Sequence, residues 1–416
     1  MTPPIPVHSR ARGDVVRRLL AVKSAPEGAS VVIVGGGIAG LALALELGHR
    51  GVADVVVVER SYPGSGATGR NVARIRAMQL SEELCRVASA CQAKYDAMGD
   101  ELGFNILFYR MGYAWILYDE DEVARMREIV AMHHRIGIRS TYLDHDDVLR
   151  AVPVLRGGEP PAAGVVHDDG IVHHDAVVWA HLEALAGTGV TLLPATAVTG
   201  IRRDENGVAG VETDRGTIAT RIVVNATGAW SSGLSDLARV VAPNRPYRRE
   251  VLVTAPVERF VDKAITFYRP HEGWFNQTLR GEVVMGAVDP DEPSAIDQRS
   301  SWAFLRRTAA LMTSKAPALG DLSVIRQWAG MYDVTPDHLP LVGPTNQLPG
   351  WWQMNGWSGR GMLLAPYLAQ LLAARMTGEE PEMLAMFDPD RFSPEVEVTG
   401  EQDRDYYRRY TGPTRH

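Results

Sequence analysis

Cysteine is scarce: of 416 residues only Cys85 and Cys91 carry a thiol. Two thiols can build neither a disulfide framework nor a thiolate metal cluster, and such sparing use fits a reducing compartment, so a cytoplasmic location and no bound metal are expected. Leu84, Val87, Ala88, Cys91, Tyr95 and Met98 recur at helical spacing, which makes Cys91 a core residue. Long apolar runs are also missing. No window reaches the roughly 18 to 20 apolar residues of a membrane span. The first thirty residues carry Arg10, Arg12, Arg17, Arg18 and Lys23 but no apolar stretch suited to a secretion signal. A flexible N-terminal arm over 1–29 is expected, on a protein without a membrane partner. Positive charge is not in excess either: Lys plus Arg number 43 against 50 for Asp plus Glu, so no overall field attracts nucleic acid. Repeats and low-complexity tracts are absent.

What remains is an ordinary globular composition, 45% hydrophobic and 22% charged, on a chain long enough for two domains. Val31 to Val34 reads as a buried strand, Gly35 to Gly40 as a glycine-rich turn, Leu41 to Gly48 as a helix, and Val55 to Val58 as a second buried strand ending at Glu59. Within that βαβ unit, Gly35, Gly37 and Gly40 satisfy the GxGxxG spacing of a dinucleotide site. Gly35 permits the tight turn, Gly37 lets backbone approach a pyrophosphate, and Gly40 lets helix pack on strand. The helix N-terminus then faces the negative charge. Glu59 stands where a ribose needs a hydrogen-bond acceptor. The glycine pattern does not by itself choose between nicotinamide and flavin dinucleotides.

Downstream, a Gly-, Ser- and Thr-rich loop (Ser61 to Asn71) precedes a mostly helical region from about Ser81 to Arg135, interrupted by a strand at Tyr113 to Tyr118. Turn signals at Glu205-Asn206-Gly207 and Asp214-Arg215-Gly216 punctuate short strands between Val190 and Val224. A buried strand, Arg221 to Val224, then runs into Ala226-Thr227-Gly228. Alternating stretches at Glu250 to Thr254, Ile265 to Tyr268 and Trp274 to Val288, with a helix near Trp302 to Ser314, predict a second domain on an antiparallel sheet. A last glycine cluster, Gly356-Trp357-Ser358-Gly359-Arg360-Gly361, precedes an apolar helix, Leu363 to Arg375, whose N-terminal dipole suits an anion.

Several stretches together resemble the glycine/D-amino-acid oxidase superfamily. Within it they are most similar to the β subunit of heterotetrameric sarcosine oxidase and to hydroxyproline, opine and proline dehydrogenase subunits. They are Gly66-Ala67-Thr68-Gly69-Arg70-Asn71 with Arg74-Ile75-Arg76, the run from Gly170 to Trp179, Arg248 to Thr254, Gln277 to Gly286, Gly330 to Asp337, and the Gly356 to Gly361 cluster. The resemblance spans Val31 to about Met376. It implies an α/β fold of the glutathione-reductase type, with a Rossmann-like FAD-binding domain from segments 30–80, 145–240 and 330–380. A substrate domain would use 81–144 and 241–329, with 381–416 as a tail. It also implies non-covalent FAD and oxidation of the C–N bond of a secondary amine or α-amino acid, of N-methyl or cyclic imino acid type, to an imine by hydride transfer to flavin N5.

Cofactor positions then fall on Gly35, Gly37, Ile38, Ala39, Gly40, Glu59 and Arg60 in the first unit, and on Gly66, Thr68, Gly69, Arg70 and Asn71 in the following loop. Val198, Ala226, Thr227, Gly228 and Trp230 supply a third group; Gly330, Gly359, Arg360, Gly361 and Met362 supply the last. Arg76 matches a substrate-carboxylate anchor, Tyr332 an active-site phenol, Arg360 a second cation at the flavin face, and Trp274, Phe275 and Asn276 the substrate-facing strand. The sequence departs from its relatives at Leu363, where sarcosine oxidases have lysine, and at Met285, near an oxygen-activating lysine. Gly330 replaces a cysteine that monomeric relatives bond to FAD. His174, preceded by His173, matches a histidine that carries FMN at a subunit interface. Read alone, these histidines before an apolar helix make an entry turn, and FMN is the less favoured reading. An α-type partner subunit is compatible with the resemblance. The alternative functions are a 2-hydroxy acid dehydrogenase and a non-catalytic electron-relay subunit.

Overall fold

The computed structural model describes residues 8–21, 24–267 and 272–392. The first seven residues, Lys23, Tyr268 at the expected strand end, and the tail beyond 392 lie outside the described residues. Two large sheets organise the rest.

The first has six strands in the order Leu341–Pro344, Trp351–Asn355, Val223–Asn225, Val31–Val34, Val55–Val58 and Thr191–Leu193. Val31–Val34 lies between two parallel neighbours, with Ile33 opposite Val57 on one side and Val224 on the other. Both valine strands are buried along their whole length, the reason they read as continuous apolar runs rather than as alternation. From this central strand the sheet grows first through Val55–Val58 and Thr191–Leu193 on one side and later through Val223–Asn225 and Trp351–Asn355 on the other, a switch in strand order that opens a crevice at the carboxyl ends of the strands. Helices Ile38–His49 and Gly361–Met376 pack together over the sheet, and Glu82–Glu101 packs on the latter.

The second sheet has eight strands in the order Val324–Val334, Arg245–Thr254, Val283–Ala287, Gly273–Gln277, Ala264–Phe267, Tyr113–Leu117, Ala163–His167 and Thr141–Asp144. Most neighbours are antiparallel; Ala264–Phe267 runs parallel to Tyr113–Leu117. The stretch read as one run from Trp274 to Val288 is a hairpin, broken where Gly281 (φ +99°) turns the chain. A small three-stranded sheet turns where expected, at Gly207 and Gly216, both at positive φ.

Four expectations need correction. Residues His8–Leu19, read as part of a flexible arm, form a helix that buries Val16 and Leu19, two apolar residues three apart on one face. Ala163–His167, grouped with the nucleotide-binding segments, pairs in the second sheet. Helix Glu82–Glu101, grouped with the substrate domain, buries Leu84, Val87 and Cys91 in the core of the nucleotide-binding half. The start of the expected tail also packs: Leu384 and Phe387 enter that same core.

Candidate active site

A cavity of about 760 Å³ extends from the carboxyl end of Val55–Val58, past the N-termini of Ile38–His49 and Gly361–Met376, to the inner face of the second sheet. Glu59 stands at one end. Its carboxylate accepts from the Gly36 N–H at 2.8 Å and the Ser61 N–H at 2.7 Å, which holds it at the cavity rim with acceptor capacity to spare. Gly35 has φ +115°, and a Cβ there would lie 2.4 Å from the Ala226 carbonyl oxygen, so only glycine fits. The Ile38 N–H at the helix start donates to Thr68 Oγ1 at 3.1 Å. Arg60 stacks on Trp230 at 4.5 Å.

Gly37, Ile38, Ala39, Gly66, Val198, Ala226, Thr227 and Gly228 line this end. Two expected cofactor residues do not border the cavity. Gly40 lies behind the turn, where a Cβ would come within 1.9 Å of the Gly35 carbonyl oxygen, and Gly69 packs on the Gly64 carbonyl. Both glycines serve close backbone packing instead.

Midway, Asn71 closes a local turn: its amide donates to the Thr68 carbonyl at 2.6 Å and its oxygen accepts from the Ala73 N–H at 2.5 Å. Arg70 donates to the Ser65 carbonyl at 3.2 Å, and Gly330 gives its side chain room. Opposite stands the N-terminus of Gly361–Met376, with Gly361, Met362 and Leu363 on the wall.

This terminus is built by distant residues. Asp333 accepts from the Gly356 N–H at 2.6 Å, and burial pushes its carboxyl up to about 7. Gly359 sits at φ +83° against the Tyr332 ring, where a Cβ would be 2.5 Å from ring carbons. Pro366 lacks an N–H for the Met362 carbonyl, and the Tyr95 hydroxyl donates to that oxygen instead.

The far end gathers arginines. Arg74–Ile75 pairs with Gly170–Ile171, and because strand residues alternate faces, burying Ile75 turns Arg74 and Arg76 together into the cavity. Arg74 bonds only neutral groups among the contacts seen: Asn276 Oδ1 (3.2 and 3.1 Å), Thr266 Oγ1 (2.9 Å) and the Tyr113 hydroxyl (3.2 Å). It lies over the Trp274 ring at 4.9 Å. Arg76 also donates to the Tyr113 hydroxyl, at 3.2 Å. Burial pushes that phenol up, but Arg76 and Arg74 more than offset it and leave it below its ordinary value.

Across the cavity, Arg249 lies over the Tyr332 ring at 5.4 Å and Arg360 donates to the His338 carbonyl at 3.0 Å. Glu272 lies between the two groups, raised by burial against the opposing pull of Arg249, Arg76 and Arg360. Burial, with Arg360 and Arg249 nearby, holds the His338 imidazole down at about 3, so it is neutral.

The structure thus brings together Arg76, Tyr332, Arg360 and Trp274. It turns one expected residue away from the site. Phe275 points to the opposite face of its strand and packs on Phe267, and Met285 lies in that same core. His174 begins the helix His174–Leu185, stacked on His173 at 5.3 Å and outside the cavity lining. Sequence reasoning missed Arg249, Glu272, Tyr113, Asp333 and His338, and gave Arg74 no role of its own. Strand alternation carried part of the signal: Arg249 is out of phase with Leu252, which is buried in the core beside the second sheet.

An acid at the second strand's end, a glycine turn on a helix N-terminus and a second helix N-terminus beyond it fit, in that order, a ribose, a pyrophosphate and an electron-accepting ring. The fold and this donor set are those of a dinucleotide-dependent oxidoreductase. The family model described as "FAD dependent oxidoreductase" (DAO) matches residues 30–375, and the chain belongs to that family. The sarcosine oxidase subunit beta of Rhodobacter capsulatus is 28% identical over 367 residues, 87% of this chain and 88% of that one. The glycine oxidase of Pseudomonas putida is 26% identical, covering 88% and 98%. The L-proline dehydrogenase structure from P. horikoshii superposes with a TM-score of 0.83 at 29% identity, covering 88% of this chain and 98% of that one. Among the described residues, no helix is long and apolar enough to cross a membrane.

Proposed function

We propose that this protein oxidises the C–N bond of a secondary amine or α-amino acid, of N-methyl or cyclic imino acid type, to an imine that water can hydrolyse. The observation that carries the reading is the pairing of Arg76 with Tyr113 beside Trp274, on the cavity wall facing the N-terminus of Gly361–Met376. FAD, when bound, supplies the hydride acceptor. Glu59, the Gly35–Gly37 turn and the Ile38 helix terminus would hold its nucleotide. The N-terminus of Gly361–Met376 would set its positive dipole end against the flavin ring, where it favours negative charge. Gly330 offers no side chain for attachment, so the cofactor is held without a covalent bond there.

Arg76 anchors the substrate carboxylate by a bidentate pair, and Arg360 adds a second cation. Trp274 and Tyr332 wall the reacting carbon. Burial and neighbouring cations disfavour an ammonium, so the amine reacts neutral and no side chain has to act as its base.

The similarity to sarcosine oxidase β subunits supports assembly with an α-type subunit, and the sparing use of cysteine a cytoplasmic location; FMN at His174 is the less favoured addition. The test is anaerobic bleaching of the flavin by a panel of amines, amino acids and 2-hydroxy acids. Bleaching by amines supports the reading. Bleaching by hydroxy acids alone identifies a hydroxy acid dehydrogenase, and silence until an α-type partner is added identifies a relay subunit.

A further inference from the structure

The pairing of Arg74 with Ile171 and of Ile75 with Gly170 stops one residue short of Arg76. Continued by one step, that antiparallel register sets Asp169 beside Arg76. Asp169 is fully buried, and it does not border the cavity. Its Oδ1 accepts from the Ala77 N–H at 2.8 Å and the Gln92 side-chain amide at 2.9 Å, and it pairs with His167 Nδ1 at 2.8 Å. The Ala77 N–H belongs to the peptide group that follows Arg76. The carbonyl of that same peptide, the Arg76 carbonyl, accepts from the Gln79 side-chain amide at 3.2 Å. Both polar atoms of the peptide are therefore held by side chains, and the stronger acceptor of the set is the Asp169 carboxylate.

Asp169 reaches Tyr113 as well. Its backbone carbonyl accepts from the N–H of Gly112, the residue before Tyr113, at 2.9 Å. His167, bonded to its carboxylate, is the cross-strand partner of Tyr113. The two backbone segments whose side chains meet in the Arg76–Tyr113 hydrogen bond are thus tied to one residue. The second carboxylate oxygen of Asp169 is buried without a hydrogen-bond partner among the described residues. A buried polar atom left in that state opposes folding, so stability alone does not account for this carboxylate, whereas what its first oxygen holds does.

Resting on the amine-oxidation reading, we infer that Asp169 is a positioning residue for substrate binding. It fixes the backbone on either side of the Arg76–Tyr113 pair, so that the Arg76 guanidinium is already set against Tyr113 when a substrate carboxylate arrives. The ordering cost of that side chain is met by the fold rather than at binding.

The test uses the holoenzyme with two substitutions. Asp169→Asn keeps an acceptor for the Ala77 N–H but not its charge, and Asp169→Ala removes the acceptor. Each is made alone and together with Arg76→Ala. Propionate, a carboxylate with no C–N bond to oxidise, is titrated against the flavin spectrum, and kcat and kcat/KM are measured for whichever carboxylated amine bleaches the flavin fastest. Propionate affinity and kcat/KM should fall roughly threefold in Asp169→Asn and roughly tenfold or more in Asp169→Ala, as loss of a hydrogen bond to a charged group implies. Bound FAD and kcat should stay near the wild-type values. In the Arg76→Ala background the same substitutions should cost less than about twofold, because residues acting through one group are not additive. If Asp169→Ala does not fold, Asp169→Asn with and without Arg76→Ala completes the cycle.

Wild-type affinity in the folded Asp169 variants, or an equal loss with and without Arg76, overturns the inference, as does a joint fall of kcat, FAD content and affinity. A wild-type protein that binds no propionate overturns it too, while bleaching by amines still decides amine oxidation. Graded loss of propionate binding with every amine inert supports the role of Asp169 and overturns amine oxidation.

Discussion

At its nucleotide end the cavity presents the Glu59 carboxylate and the glycine turn and helix start of residues 35–39, with Val198 and Ala226 to Gly228 completing the wall. Among the described residues, its other end presents the guanidinium groups of Arg74, Arg76, Arg249 and Arg360 beside the rings of Tyr113, Trp274 and Tyr332. The first end recognises a cofactor whose polar groups are fixed, so a short local motif suffices. The second must match a particular substrate, and its charges are held by sheet register and by aromatic faces. A strand–turn–helix unit therefore serves any dinucleotide, whereas under the proposed function specificity falls to the other end, where one residue can change without disturbing the turn.

The comparison breaks most completely at Gly35. Gly35→Val forces a side chain into the Ala226 carbonyl at a φ of +115°, and the expected result is loss of bound FAD and of soluble protein, read from the flavin-to-protein absorbance ratio. Arg76→Ala strikes the other end alone. Removing a charge-assisted pair costs roughly 2 to 5 kcal/mol, so KM for a carboxylated amine should rise at least tenfold while FAD stays bound. Loss of FAD instead would make Arg76 a cofactor ligand.

A subtler change at the nucleotide end is Glu59→Ala, which removes the acceptor for the Gly36 and Ser61 N–H groups and for the ribose. Hydrogen bonds to a charged group contribute about 1.5 to 3 kcal/mol. The FAD dissociation constant should therefore rise roughly tenfold to a hundredfold, with kcat at saturating FAD unchanged. A fall in kcat would show that the two ends are coupled.

The smallest expected effect sharpens the boundary between them. The Asp333 carboxyl, raised to about 7 by burial, is protonated in the folded protein over a range where the unfolded chain has already ionised. The folded state then holds the extra proton, so this group's contribution to stability falls as pH rises from about 4 toward 7 and levels off above that. Asp333→Asn should flatten that part of the melting-temperature profile. An unaltered slope would place the titration elsewhere.

Legibility in the sequence followed the same division. The valine strands, the glycine turn and Glu59 could be read because strand, turn, helix and strand are contiguous and each constrains the next. The second glycine cluster was visible as a motif, but its supports, Asp333 and Tyr95, were not, since no local pattern links position 95 to position 362. Trp274 and Asn276 could be assigned to a site-facing strand, yet Phe275 was carried along with them because the strand's phase was not known. Arg249 stayed hidden in a run of charged residues, and the helix His8–Leu19 was masked by its arginines.

By itself, then, the sequence determined that this chain binds a dinucleotide on a βαβ unit, because that site's partners lie within about one supersecondary unit of one another. Its family motifs carried the flavin and the amine. Only the tertiary structure decided which arginines share a cavity: Arg74 and Arg76 are turned inward by a two-residue pairing with Gly170–Ile171, and Arg249 is set opposite Gly330 by strand register. A charge cluster of that kind has no sequence period, since it exists only where two sheets and two helix termini meet.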